Sequence, residues 1–225
     1  NFLTFWNKKK FNKPLWLNNV IELINKGFKE TKIGEEKINN TNIYFIHGSV
    51  ADFRSENGAI VNAANENCLG GGGIDEVITK RGGPELYKKR LELPVNNNIR
   101  CEVGNAKITT SDESVFSDTL GVKHIIHAVG PNFNKTSDEE LLKNAYRNSL
   151  IVANNNKIEE IAFCLLSSGI FIGKKRKEDV IYLGINTIKE WLLANANISI
   201  KNVYIYAFSN GEKIILENYK KLKSL

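Results

Sequence analysis

The chain has 225 residues, 42% of them hydrophobic and 25% charged, with a net charge of +6. This is the composition of a globular protein long enough to bury a core without help from disulfides or structural metals. No segment reaches the roughly 18 apolar residues of a membrane helix, and the first ten residues put aromatic bulk before their lysines, the reverse of a signal peptide. A cytoplasmic or nuclear protein with no membrane partner is expected.

In chain order, Leu15–Phe28 predicts a first helix. Asn42–His47, Ala59–Ala63, Asn105–Thr110, His124–Val129, Glu160–Leu166 and Asn202–Phe208 are short, largely apolar runs that read as six strands. Between them lie helical patterns. Asp75–Leu91 makes one, interrupted near Gly82-Gly83-Pro84. Leu142, Ala145, Tyr146, Ser149, Leu150 and Ala153 share one helical face, as do Ile181, Gly184, Ile185, Ile188, Trp191 and Leu192. Glu212–Leu222 closes the chain. Strands alternating with helices predict an α/β fold around a largely parallel sheet covered on both faces. Ligands of such sheets sit at the carboxyl ends of the strands.

Cys68, Cys101 and Cys164 lack metal-ligand spacing and read as reduced, inert thiols. Methionine is absent, which predicts a piece of a longer protein with flanking domains. Basic runs at Lys8–Lys10, Lys174–Lys177 and Lys220–Lys223 leave attraction to a polyanion open. Solvated helix ends are the simpler account, since no aromatics interleave with the runs as a single-strand platform requires.

The densest chemical signal is Gly58–Gly73, GAIVNAANENCLGGGG, followed by Ile74 and Asp75. A buried strand runs into two carboxamides, then four consecutive glycines, then a helix. Serial glycines let a backbone approach a ligand, and their N–H groups, with those of the following helix N-terminus, suit an anion. A second loop, Ser167–Gly173, also lies between strand and helix, so the two can grip a diphosphate from both sides. It is not a P-loop: three residues separate Gly169 from Gly173, and Lys175 stands where a hydroxyl is needed. Nor does the glycine tetrad fit a dinucleotide fingerprint, whose third glycine falls on Asp75 or Glu76.

NAANENCLGGGGID, Ser167-Ser168-Gly169-Ile170-Phe171, HIIHAVGP at His124–Pro131 and Gly104–Thr109 resemble, in order and spacing, the four signatures of the macrodomain family. The resemblance runs from about Asn42 to the C-terminus and is strongest to its MacroD-type hydrolase branch. It implies a three-layer α/β/α macrodomain over residues 41–225 with a mixed, largely parallel six-stranded sheet. Residues 1–40 would be an N-terminal helical extension packed on it. The ligand implied is ADP-ribose, bound by a monomer without metal or cofactor. Asn65 would hold the distal ribose and Asp75 would position or activate the attacking water; these are the catalytic pair. Asn62, Ala63, Gly71, Gly72, Gly73 and Ile74 would line the ribose. Ser167, Ser168, Gly169, Ile170 and Phe171 would wrap the diphosphate, and Phe208, beside Asn210, would stack on adenine.

Three departures stand out. Gly48-Ser49-Val50-Ala51 occupies the place of a family segment whose Asp reads the adenine amino group, so Ser49, Val50 and Asp52 are the candidates for that end. Thr79 stands where related hydrolases carry a His. Lys174–Lys177 puts charge beside the diphosphate loop. His124 and His127, three apart on one strand, face opposite sides and cannot share a metal. They and His47 read as core or strand-end histidines. The implied activity is hydrolysis of mono-ADP-ribose esters on Asp or Glu side chains of modified proteins, and of O-acetyl-ADP-ribose. A non-catalytic ADP-ribose reader, an ADP-ribose 1″-phosphate phosphatase, and a basic module for nucleic acid or poly-ADP-ribose are the alternatives.

Overall fold

The computed structural model of the chain describes residues 30–222; the expected helix Leu15–Phe28 lies outside them. In chain order the elements are β1 (Thr31–Ile38), β2 (Thr41–His47), a 3-10 turn (Val50–Asp52), β3 (Gly58–Ala63) and α1 (Ile74–Leu91). β4 (Ala106–Thr110), α2 (Val115–Leu120), β5 (His124–Ala128), α3 (Glu140–Asn155) and β6 (Glu160–Phe163) follow. α4 (Lys177–Ala194), β7 (Asn202–Ala207) and α5 (Asn210–Leu222) complete the domain.

The seven strands form one sheet in the order β1-β2-β7-β6-β3-β5-β4. The five central strands run parallel, while β1 pairs antiparallel with β2 and β4 antiparallel with β5. Parallel strands covered on both faces must be apolar throughout. Accordingly Ile60, Val61, Ile125, Ile126, Phe163, Val203 and Ile205 are buried on the inner strands. The helices fall into two packed groups, α1 with α2 and the 3-10 turn, and α3 with α4 and α5.

The expected sheet of six strands is corrected to seven. The extra strand, β1, occupies residues assigned to the helical extension. Half of its sequence, TKIGEEKI, is exposed, so lysine and glutamate hide its alternation. Charge of this kind is what keeps an edge strand from pairing with another molecule. Asn39, at φ 52, turns β1 back into β2. The short helix α2 was also absent from the sequence reading; Ser114 caps it by accepting from Phe116 and Ser117 N–H. Three strands end earlier than expected because the chain leaves the sheet to build the cavity.

Candidate active site

A cavity of about 600 Å³ opens at the carboxyl ends of β2, β3, β6 and β7, a size suited to a nucleotide-like ligand. After β2, Gly48, Ser49 and Val50 form one wall. After β3 come Ala63, Ala64 and Asn65, then Gly71, Gly72, Gly73, Ile74 and Asp75. Cys164 and Leu165 carry the wall beyond β6 into Ser167, Ser168, Gly169, Ile170 and Phe171, and Tyr206 and Phe208 close it at β7.

The glycine tetrad is shaped for close approach. A Cβ on Gly71 would stand 3.1 Å from Asn65 Nδ2 and 3.2 Å from Asp75 Oδ2, so this backbone passes between the two polar side chains. Gly73, at φ 66 and ψ −131, turns the chain into α1, a conformation that favours glycine. Across the cleft, a Cβ on Gly72 would lie 3.3 Å from Ile170 Cδ1.

The second loop is braced from below. Ser167 Oγ donates to Pro131 O at 2.8 Å and Ser168 Oγ to Leu165 O at 2.8 Å, so both hydroxyls turn to the backbone. Phe133 N–H donates to Phe171 O at 2.8 Å. Among the described residues, no backbone carbonyl accepts from the N–H of Gly169, Ile170 or Phe171. Backbone donors at the loop and at the α1 N-terminus are the kind of groups that suit an anion. Beneath the loop, burial pushes the Cys164 thiol up to about 12, so this cysteine stays an inert floor residue. All three cysteines are free and buried.

Asp75 is 1% exposed, in the first turn of α1. Its Oδ1 accepts from Asn62 Nδ2 at 2.8 Å and lies 3.1 Å from Arg90 Nη2. Its Oδ2 is buried with no protein partner among the described residues, and so is Asn65 Oδ1. Asn65 Nδ2 donates to Gly70 O at 2.9 Å, fixing the side chain against the tetrad. The Asn62 amide contacts Asp75 and, at 3.2 Å, His127 Nδ1. Donation to the carboxylate identifies the amide nitrogen, so His127 Nδ1 accepts and Nε2–H donates to Thr109 Oγ1 at 3.0 Å. Burial, and secondarily the Arg90 charge, hold the His127 pKa well below its ordinary 6.5, so the ring is neutral.

Three expected ligand contacts do not line the cavity. Asp52 is held by Arg81, whose Nη1 donates to its Oδ1 and to Ala51 O, each at 2.6 Å. Asn62 is fully buried beneath Asp75, a support rather than a wall. Asn210 only opens α5. Conversely, sequence reasoning missed Gly130, Tyr206, Glu212 and Arg90. Glu212 Oε2 accepts from Phe208 and Ser209 N–H at 2.9 and 3.0 Å, fixing the backbone beneath the exposed Phe208 ring. Tyr206 donates its hydroxyl to Glu30 Oε1 at 3.0 Å, and burial raises the Glu30 pKa. Gly130 lies within HIIHAVGP and Tyr206 within the strand Asn202–Phe208, which was the available signal; Arg90 had none. The Lys174–Lys177 run is largely drawn into ion pairs, Lys175 with Glu139 at 2.5 Å and Arg176 with Glu178 at 2.8 Å. Among the described residues there is no cluster of three or more His, Cys, Asp or Glu able to hold a metal, and no helix long and apolar enough to cross a membrane.

A mixed, largely parallel sheet with two glycine-bearing loops walling a cavity at its strand ends defines an α/β domain with one open cleft at the carboxyl edge of the sheet. The family model of the Macro domain matches residues 61–180, and the chain belongs to that family. It is 39% identical over 140 residues to ADP-ribose glycohydrolase MACROD2 of Homo sapiens, covering 61% of this chain but only 30% of that protein. It is 34% identical over 160 residues to O-acetyl-ADP-ribose deacetylase of Citrobacter rodentium, covering 70% of this chain and 84% of that one. Among solved structures, the Oceanobacillus iheyensis macrodomain with ADP superposes with a TM-score of 0.74 at 29% identity, covering 88% of this chain and 100% of that one.

Proposed function

We propose that the cavity binds ADP-ribose and that the chain hydrolyses the ester joining mono-ADP-ribose to Asp or Glu side chains, with O-acetyl-ADP-ribose as a smaller substrate of the same kind. The observation that carries this reading is the division of labour at Asp75. One carboxylate oxygen is tied down by Asn62 and Arg90, and the other faces the space between Gly71 and Asn65. A carboxylate so held does not serve to bind a diphosphate, which it repels; it serves to hold water. The relatives named for glycohydrolase and deacetylase activity support the same chemistry.

The loop N–H groups of Gly169–Phe171 and the start of α1 would take the diphosphate, and Phe208 would stack on adenine. Asn65 would hold the distal ribose against Gly71. Water hydrogen-bonded to Asp75 Oδ2 then attacks the anomeric carbon. The bond from that carbon to the ester oxygen breaks, its electron pair leaves with the protein carboxylate, and the water's proton passes to Oδ2. Preorganised donors and a fixed water account for the acceleration. No metal enters this scheme.

The test follows label released from a mono-ADP-ribosylated glutamate substrate, alongside calorimetry with ADP-ribose in EDTA. Asp75→Ala should bind ADP-ribose at least as well as the parent, yet release it about 10²–10⁴-fold more slowly if proton transfer is its contribution. Asn65→Ala should lose both binding and release. A parent that binds but releases nothing is a reader, and release undiminished in Asp75→Ala refutes the mechanism.

A further inference from the structure

Arg90 heads the largest fully buried side chains among the described residues and is 1% exposed. A buried guanidinium is costly unless paired and hydrogen-bonded, so its partners indicate its work. They are Thr79 Oγ1, which accepts a hydrogen bond from Nη1 at 2.9 Å, and Asp75 Oδ1, which pairs by charge with Nη2 at 3.1 Å without hydrogen-bond geometry; Nε has no hydrogen-bond partner among the described residues. Thr79 Oγ1 in turn donates to the Asp75 carbonyl at 2.7 Å. Both partners belong to the first segment of α1, and Arg90 belongs to the second.

Such contacts are out of reach in a straight helix, where the 15 residues from Asp75 to Arg90 would span about 22 Å. Gly83, at φ 63 and ψ −162, breaks α1 just before Pro84. The break lets the second segment bring its guanidinium to the first turn. Oδ1 also accepts from Asn62 Nδ2 at 2.8 Å, itself supported by the neutral, buried His127. Rotation of the carboxylate would sever both contacts to Oδ1. Oδ2 is therefore the oxygen left facing Gly71, 3.2 Å from where a Cβ would stand.

We infer that Arg90 is a positioning residue for the hydrolysis. It clamps Asp75 Oδ1 so that Oδ2 is held at one place and orientation for the attacking water, and Thr79 braces the clamp. This role rests on the hydrolase reading above. Arg90 does not itself line the cavity and meets its wall at Asp75, so it acts on turnover through Asp75 and leaves ligand binding alone.

The test measures kcat and KM for release from modified glutamate, the Kd for ADP-ribose, and thermal stability. The proteins are the parent, Arg90→Met, Arg90→Lys, Thr79→Val, Asp75→Asn and the Asp75→Asn/Arg90→Met double variant. Arg90→Met should lower kcat roughly 10–100-fold, the scale of a reacting group displaced by about an ångström, with KM and Kd within about twofold of the parent. Arg90→Lys, which keeps a buried cation, should recover part of that loss. In the Asp75→Asn background, Arg90→Met should change single-turnover release by less than about twofold, because residues acting as a unit are non-additive. Equal fold losses in both backgrounds would mark Arg90 as structural, and a kcat unchanged in Arg90→Met would end the proposal. If the Arg90 variants fail to fold, Thr79→Val decides, since it keeps the side-chain shape and removes only the brace. It should lose roughly 3–10-fold in kcat at unchanged Kd, and an unchanged kcat overturns the clamp. A parent without release activity overturns the hydrolase reading itself, whereas an active parent with indifferent variants overturns the role of Arg90 alone.

Discussion

Gly71 places a bare backbone between the two side chains that the proposed hydrolysis assigns to the ribose and the attacking water. Its missing Cβ would stand 3.1 Å from Asn65 Nδ2 and 3.2 Å from Asp75 Oδ2, where a branched side chain has no room without displacing one of them. Gly71→Val should therefore lower release from modified glutamate at least 10²-fold, comparable to misplacing a reacting group by an ångström. Because Gly71 is exposed at the mouth of the cavity, its unfolding free energy should stay within about 0.5 kcal/mol of the parent. Urea denaturation and single-turnover release on one preparation separate the two effects. A variant as active as the parent would show that the space between Asn65 and Asp75 is not where the ribose reacts.

Among the elements, the α3–α4 crossing supports the Ser167–Gly173 loop from a distance. Gly184 of α4 lies so close to α3 that a Cβ would meet the Tyr146 ring at 2.5 Å. That proximity seats Tyr146 under the sheet, where its hydroxyl accepts from Leu166 N–H at 2.9 Å, one residue before the loop begins. Gly184→Ala overpacks this contact and should cost about 1–3 kcal/mol of stability, read as a shift in the urea midpoint at constant slope. If Tyr146 moves, Leu166 loses its acceptor, and ADP-ribose affinity should weaken as well. Destabilisation with unchanged affinity would mean that the braces made by Ser167, Ser168 and Phe133 hold the loop without Tyr146. The kink in α1 works in the same indirect manner: Gly83 and Pro84 lie far along the helix from Asp75, yet they bring Arg90 to it.

Across the whole molecule, the buried polar cluster ties stability to pH. Burial holds the folded-state pKa of His127 well below 6.5, whereas the unfolded ring takes up a proton near that value. Protonation therefore favours the unfolded chain. The stabilisation is fully present above about pH 6.5 and is lost as pH falls, by about 1.4 kcal/mol per unit from this one group. His124, whose pKa is also lowered by burial, acts in the same direction. Glu30 acts oppositely, since its raised pKa makes the native state hold the extra proton. The difference between parent and His127→Gln cancels both. Between pH 6.5 and 5.5, a window that starts at the unfolded pKa, the parent should lose about 1 kcal/mol more than the variant, and parallel curves would show that His127 takes up its proton as readily in the folded protein as in the unfolded chain.

Much of this fold was legible along the chain because the relevant forces are local. Parallel strands buried on both faces must be apolar, so β2, β3, β5, β6 and β7 announced themselves, and the glycine tetrad declared a turn with room for a ligand. The edge strand β1 was not legible, since a strand partly in solvent carries charges that erase its alternation. At the site, residues on the two glycine loops could be listed from sequence because short loops after adjacent parallel strands converge on the same end of the sheet. Their division into wall and support could not. Asn62 looked like Asn65, three residues away, but Asn62 lies within β3 and points under Asp75, whereas Asn65 lies in the loop beyond the strand and lines the cavity. Asp52 looked available until Arg81, 29 residues on, took its carboxylate. By itself, the sequence determined the layered fold, the backbone cradles and the carboxylate and carboxamide beside them. Only the tertiary structure decided which polar groups remain unpaired for a ligand. A buried charge must find a partner, and that partner is selected by strand order and by a helix kink that no local pattern encodes.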